Sequence, residues 1–92
     1  MFEIQKTDEF DEWLSGLSDQ KAQAKIVSRI ERLGLGNPGD VKPVGEGVSE
    51  MRVPYGPGYR VYFKQTGKTS EKTELLIFIT PRIVKDSITA VR

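Results

Sequence analysis

The 92-residue sequence contains no cysteine and no histidine. Without cysteine there is no disulfide bond and no thiolate nucleophile. Without histidine, the commonest metal ligand and the commonest general base near neutral pH are both missing. Any chemistry must therefore use arginine, lysine, tyrosine, carboxylate or hydroxyl groups. We expect no bound metal and no small-molecule cofactor.

Long apolar runs are missing as well. The longest, Leu75–Ile79, is far too short to cross a bilayer. The N-terminal "MFEIQKTDEF" lacks the basic and apolar regions of a secretory signal. These features predict a cytoplasmic protein. A chain of this length has room for one core, so we treat residues 1–92 as a single domain.

Charge is distributed unevenly, although the net charge is only +1. Residues 1–50 carry ten acidic and six basic side chains, whereas residues 51–92 carry eight basic and three acidic ones. The C-terminal part is therefore the part suited to an anionic partner.

Periodicity predicts a strand followed by two helices at the N-terminus. "FEIQK" alternates apolar and polar residues, as a short strand does. Thr7 or Asp8 is the expected N-cap of the first helix, and Ser18 is the candidate N-cap of the second. Apolar residues at helical spacing define the two buried faces: Phe10, Trp13, Leu14 and Leu17 in the first helix, and Ala22, Ile26, Ile30 and Leu33 in the second.

The rest of the chain is predicted to form a loop and three strands. Residues 34–47 contain five glycines and two prolines, which predicts a long loop. Strands are predicted at Val48–Val53, Tyr59–Gln65 and Thr73–Ile79, and an apolar i, i+4, i+7 pattern suits a short C-terminal helix. The order β-α-α-β-β-β predicts an α+β fold, with a helical hairpin on one face of a small, mostly antiparallel sheet.

The stretch "EMRVPYGPGYRVYF" predicts that two arginines lie opposite each other. If the apolar residues of both strands face the helices, alternation constrains the register between the strands. A turn of five residues, 54–58, satisfies this condition and a turn of four does not. The predicted pairs are Val53 with Tyr59, Arg52 with Arg60, Met51 with Val61, and Glu50 with Tyr62.

Two like charges directly opposite in a sheet repel each other, and an anion would relieve the repulsion. Tyr62, Lys64, Tyr55 and Lys42 are the expected additional contacts around the pair. Cations interleaved with aromatic rings suit a phosphate backbone with an adjacent base. The alternative is an ordinary solvated sheet face on which Glu50 neutralises one arginine.

The sequence also resembles a known family. "LGNPGDVKPVGEGVSEMRVPYGPGYRVYF" and the N-terminal "EIQKTDEFDEWLSGLSDQKAQAKIVSRIERL" are similar to the HigB/RelE-like toxins of bacterial toxin-antitoxin modules, in the subgroup labelled addiction module killer protein. The similarity covers about residues 1–64 and is densest in "GDVKPVGEGVSE" and "GPGYRVYF".

This resemblance implies a RelE-like fold and an endoribonuclease that cleaves messenger RNA on the ribosome and so inhibits translation. It implies a cognate antitoxin, usually with a helix-turn-helix domain. Arg60 matches the family's strand arginine and Arg52 a basic position on the preceding strand, and residues of this kind bind the scissile phosphate.

The C-terminal "IFITPRIVKDSITAVR" departs from the subgroup, which typically has Gly-Gly-Asp-Lys-Ser-Thr-Gln after its last strand. Arg82 and Lys85 lie in this tail, as a candidate RNA contact and a candidate catalytic residue. The departure favours an alternative: a non-catalytic or decayed member that binds a protein, either its antitoxin or gyrase as in the ParE branch. A generic RNA-binding module is a third interpretation.

Cleavage without a metal would use the RNA's own 2′-hydroxyl as the nucleophile. Arg52 and Arg60 would stabilise the charge that develops on phosphorus, because guanidinium stays protonated and binds phosphate oxygens in pairs. Proton transfer would then be left to Tyr62, Lys64 or Lys85, or to groups of the ribosome.

Overall fold

The computed structural model describes residues 2–79, and these form two helices and one five-stranded mixed sheet. This confirms the α+β class. The expected C-terminal helix falls on residues outside the described range. In chain order the elements are β1 (Phe2–Lys6), α1 (Asp8–Ser15), α2 (Gln20–Gly34), β2 (Val41–Gly45), β3 (Val48–Val53), β4 (Tyr59–Lys68) and β5 (Thr73–Phe78).

The sheet has the strand order β1-β5-β4-β3-β2. β1 pairs with β5 in parallel, and the other three strand pairs are antiparallel. The first strand of the chain therefore lies beside the last one described, and the two helices form the start of the connection between them.

Both helices begin at side chains that cap their free N–H groups. The Thr7 hydroxyl accepts a hydrogen bond from the Phe10 N–H at 3.1 Å. Asp19 caps α2, since its carboxylate accepts from the N–H groups of Lys21 and Ala22 at 3.0 and 3.2 Å. The prediction of Ser18 as this cap was wrong by one residue, because the neighbouring carboxylate takes the capping position.

The helices pack on one face of the sheet. Phe10 of α1 and Ile26 of α2 are fully buried, and they share a core cluster with Met51, Val61 and Ile77 of the strands. Each strand residue in this set faces the helices, as alternation requires. The opposite face carries the arginines and a smaller apolar cluster of Val48, Phe78, Tyr62 and Leu76.

The predicted long loop contains a strand that the sequence did not reveal. β2 pairs antiparallel with β3, with a shift of register between Pro43 and Gly45. Proline cannot donate to a ladder, but it is tolerated in a strand at the edge of a sheet. β2 occupies such an edge, which explains how a glycine- and proline-rich segment can pair.

Within residues 2–79, neither helix has the length and apolar character needed to cross a membrane.

Candidate functional site

The predicted register of β3 and β4 is confirmed. Arg52 lies opposite Arg60, and the neighbouring pairs Val53 with Tyr59, Met51 with Val61, and Glu50 with Tyr62 are also as expected. The connecting turn has five residues, 54–58. Gly58 has a φ of 86°, in the left-handed region where a side chain would be strained. The two guanidinium groups therefore leave the same face of neighbouring strands.

The partner of Arg52 is Asp40, at the end of the connection from α2. Its carboxylate lies 3.0 Å from Nη2 of Arg52, and the two side chains are 51% and 45% exposed, respectively. An ion pair this exposed contributes only about 0 to 1 kcal/mol to stability. Glu50, to which the solvated-face alternative assigned this role, instead accepts a hydrogen bond from Tyr62.

Arg60 has no such partner among residues 2–79, where its side chain forms neither an ion pair nor a hydrogen bond. One arginine of the pair is thus weakly neutralised and the other is not. A phosphate that bridged both would compete, among residues 2–79, with the exposed carboxylate of Asp40.

Arg29 of α2 fixes the backbone around the pair. Its guanidinium donates to the carbonyl oxygen of Arg52 and, at 3.0 and 3.3 Å, to those of Pro38 and Asp40. Gly39, with a φ of 73°, permits this contact, because a Cβ there would lie 3.1 Å from Nη2 of Arg29. The helix thereby holds both ends of the Arg52–Asp40 ion pair in place.

A cleft of about 720 Å³ opens beside the two arginines. It is formed where β3 and β4 meet their turn, and two prolines stiffen its wall. The lining residues are Asp40, Arg52, Val53, Pro54, Pro57, Gly58, Tyr59 and Arg60.

On the arginine face, a second row of side chains lies two residues along the strands from Arg52 and Arg60. The register places Lys42 opposite Glu50, Glu50 opposite Tyr62, and Tyr62 opposite Phe78. The Tyr62 hydroxyl donates to Glu50 at 3.2 Å, and the Tyr62 and Phe78 rings stack with centroids 6.1 Å apart. Tyr62 is thus held between a carboxylate and an aromatic ring.

The surroundings of Tyr62 raise its pKa above the ordinary value of 10.0. Partial burial of the phenol is the main cause, followed by the hydrogen bond to Glu50 and its negative charge, while Arg60 opposes the shift. A tyrosine with a raised pKa keeps its proton near neutral pH, so Tyr62 has a proton to donate, although the shift makes it a weaker acid.

The two lysines predicted as RNA contacts lie on the arginine face. Lys42 belongs to β2 rather than to a loop, and Lys64 is opposite Val48 on one side and Leu76 on the other. Both lysines lie on the same face of the sheet as the arginines, which is the face opposite the helices.

Tyr55, the predicted turn contact, lies on the helix side of the sheet. Its ring packs against the core cluster, with Nζ of Lys25 5.2 Å from the ring centroid. The expectation that it joins the arginine pair was wrong, since a turn residue does not follow strand alternation. Burial, and then the nearby Asp19 carboxylate, raise the pKa of Tyr55.

Arg82 and Lys85 lie outside the described residues.

Two residues of this site were not predicted from the sequence. Asp40 lay within the predicted loop and Arg29 within the second predicted helix, and neither was given a role. In the part of the chain that the structure describes, acidic side chains do not group in threes that could hold a metal ion.

Comparison with known proteins finds a similar chain in Haemophilus influenzae strain Rd. This uncharacterized protein is 52% identical over 62 residues, which is 67% of the present chain. The matched stretch spans 63% of that relative's length, so the chain accounts for less than two thirds of it. No protein-family model matches the sequence, and no solved structure matches it.

We expect Tyr62 to ionise above the usual range of tyrosine, and Glu50→Gln to lower its pKa by removing the adjacent negative charge. A spectrophotometric titration of each protein, with the Tyr62→Phe curve subtracted, measures this ionisation. Because the folded-state pKa is raised, the stability that Tyr62 contributes is present below about pH 10 and is lost as the pH rises further. An unchanged curve in Glu50→Gln would show that the carboxylate does not act on the phenol.

Replacing Arg29 with Met should lower the free energy of unfolding by about 1 to 3 kcal/mol, because three carbonyl oxygens lose a charged donor. Arg32→Met is the matched control from the same helix, because this side chain makes no hydrogen bond within residues 2–79, and its effect should stay within about 0.5 kcal/mol. Urea denaturation measures both. Equal effects of the two substitutions would contradict the proposed role of Arg29.

Proposed function

We propose that this chain is a RelE-like toxin of a toxin-antitoxin module, an endoribonuclease that cleaves messenger RNA on the ribosome. The observation that carries the proposal is the pair of arginines, Arg52 and Arg60, directly opposite each other at a cleft. The resemblance of the β3–β4 segment to that family adds support. The helical hairpin on one face of a small sheet is compatible with a RelE-like fold.

The arginine pair suits a phosphodiester group. Two guanidinium groups on adjacent strands can each present two parallel N–H donors, which match the oxygens of one phosphate. Binding would relieve the repulsion between the two charges, and Asp40 would give up only a weak, exposed ion pair. The same donors would stabilise the additional negative charge of the pentacoordinate transition state.

In the reaction that we propose, the RNA 2′-oxygen attacks the adjacent phosphorus. A bond from O2′ to phosphorus forms, the bond from phosphorus to O5′ breaks, and the products are a 2′,3′-cyclic phosphate and a free 5′-hydroxyl. One proton leaves O2′ and one is delivered to O5′, so an acceptor and a donor are needed.

Tyr62 and Glu50 are the described residues best placed to supply these groups. Tyr62 follows Arg60 on the same face of β4, keeps its proton at neutral pH, and suits the donor. Glu50 is the neighbouring carboxylate and can accept a proton. Lys64 and Lys85 were predicted alternatives; Lys64 lies one row further from the arginines, and Lys85 is outside the described residues.

The raised pKa of Tyr62 lies further from neutral pH than the proton donor of an efficient free ribonuclease requires. An enzyme with so weak a proton donor depends on a large partner to orient the substrate. We therefore expect cleavage of translated message and little cleavage of naked RNA. An antitoxin that covers the basic face would block the reaction.

The contacts already formed within the site also support a second candidate function. Asp40 already pairs with Arg52, and Tyr62 already donates to Glu50, so the charges are partly satisfied without RNA. This arrangement fits a non-catalytic family member that binds a protein, either its antitoxin or gyrase as in the ParE branch.

Expression of the wild type in bacterial cells should arrest growth and produce RNA 5′ ends phased with codons. Arg60→Ala should reduce the cleavage roughly 100- to 1,000-fold, the usual effect of losing one donor to a developing oxyanion. Mapping of RNA 5′ ends, with growth scored in parallel, measures both effects.

Lys68→Ala is the matched control, since this cation lies at the far end of the same strand. It should leave cleavage at the wild-type level. Growth arrest with DNA damage and without phased cuts would support the gyrase-binding alternative. No effect of the wild type would contradict the nuclease.

A further inference from the structure

A second basic cavity lies on the helix side of the β3–β4 turn. It has a volume of about 230 Å³ and is formed between one face of α2 and the start of the turn. Its lining consists of Lys25, Ser28, Arg29, Arg32, Val53, Pro54 and Tyr55.

The cavity concentrates positive charge, and no acidic residue is part of its lining. Lys25, Arg29 and Arg32 follow the i, i+4, i+7 spacing of a single helix face, where like charges repel. No carboxylate is among the lining residues, and none of the three cations forms an ion pair within residues 2–79. The Asp19 carboxylate does not line the cavity, but it caps α2 and lies close enough to Tyr55 to raise its pKa, so it offsets only part of this charge. An anion in the cavity would therefore relieve a standing repulsion.

The available donors suit a phosphate. Lys25 is held at the cavity by its contact with the Tyr55 ring, and the Ser28 hydroxyl and the Arg32 guanidinium are free of hydrogen bonds to other described residues. Arg29 directs its donors at backbone carbonyl groups, so it contributes charge more than new hydrogen bonds.

The two basic cavities share lining residues at the turn. Val53 and Pro54 line both of them. Arg29 lines the second cavity, and its guanidinium donates to the carbonyl groups of Arg52 and Asp40, which line the first. A strand of RNA crossing the turn would pass from one cluster of cations directly to the other.

We propose that the cavity formed by Lys25, Ser28 and Arg32 binds a second phosphate of the same single-stranded RNA whose scissile phosphate lies at Arg52 and Arg60. This inference rests on the proposed function and extends it. The second phosphate site makes affinity depend on RNA length and fixes the path along which the strand crosses the turn.

The test uses a fluorescein-labelled, 2′-O-methylated RNA of about 12 nucleotides, within the usual site size for single strands. Its affinity is measured by anisotropy over a range of salt concentrations. The double variant Lys25→Gln/Arg32→Gln should reduce the slope of log affinity against log salt by about 0.7 for each phosphate that the variant no longer neutralises. Lys25→Arg/Arg32→Lys keeps both charges and should retain the wild-type slope.

Lys21→Gln/Lys68→Gln is the matched control for loss of charge, since neither lysine lines either basic cavity. A 2′-O-methylated dinucleotide, which has a single internucleotide phosphate and so cannot fill both sites, should respond to Arg60→Gln and not to Lys25→Gln/Arg32→Gln. Thermal melting verifies that each variant is folded, and glutamine is a good helix former at both exposed positions.

Equal slopes for the cavity variant and the charge control, with Arg60→Gln still weakening binding, would overturn this inference and leave the proposed function intact. Unchanged RNA binding in Arg60→Gln would contradict the proposed function itself. If an acidic peptide, poly-glutamate, binds the wild type but not the cavity variant while RNA binding is unaffected, the cavity belongs to a protein partner and the inference is overturned.

Discussion

The register between β3 and β4 is the constraint on which the candidate site depends. A turn of five residues pairs Val53 with Tyr59, which turns the apolar side chains of both strands toward the helices. The same register places Arg52 directly opposite Arg60. A slip of one strand by one residue would move its arginine to the core face and its apolar residues into solvent. Burial of Met51 and Val61, which is complete, therefore holds two like charges together that would otherwise separate.

Contacts from α2, on the other face of the sheet, stabilise the backbone that carries the arginine pair. Arg29 reaches from α2 to the carbonyl groups of Arg52 and Asp40, so the backbone that carries the ion pair is attached to the core. The charges at the surface remain weakly satisfied, with Asp40 half exposed and Arg60 lacking a partner among residues 2–79. A rigid backbone under loosely paired charges suits a site that binds an anion, because little has to be reorganised when the anion arrives.

Prediction from the sequence succeeded where local periodicity decides the structure. The α+β class, the helix faces around Phe10 and Ile26, and the Arg52–Arg60 pairing all follow from periods of 3.6 or 2. It failed where contacts between distant segments decide: β2 forms despite Pro43 because an edge strand tolerates it, and Tyr55 turns toward α2 because alternation ends at the turn. Neither Asp40 nor Arg29 carries a local signal, since each gains its role only when the connection after α2 returns to β3.

The most direct test of the account is an NMR titration of the arginine side chains. Resonances of the Nε–Hε groups are assigned with Arg52→Lys and Arg60→Lys, and a short 2′-O-methylated RNA is then added. If one phosphate bridges the pair, both resonances shift along the same binding curve and the Asp40–Arg52 ion pair is broken. Shifts confined to other arginines, with Arg52 still paired to Asp40 at saturation, would contradict the account.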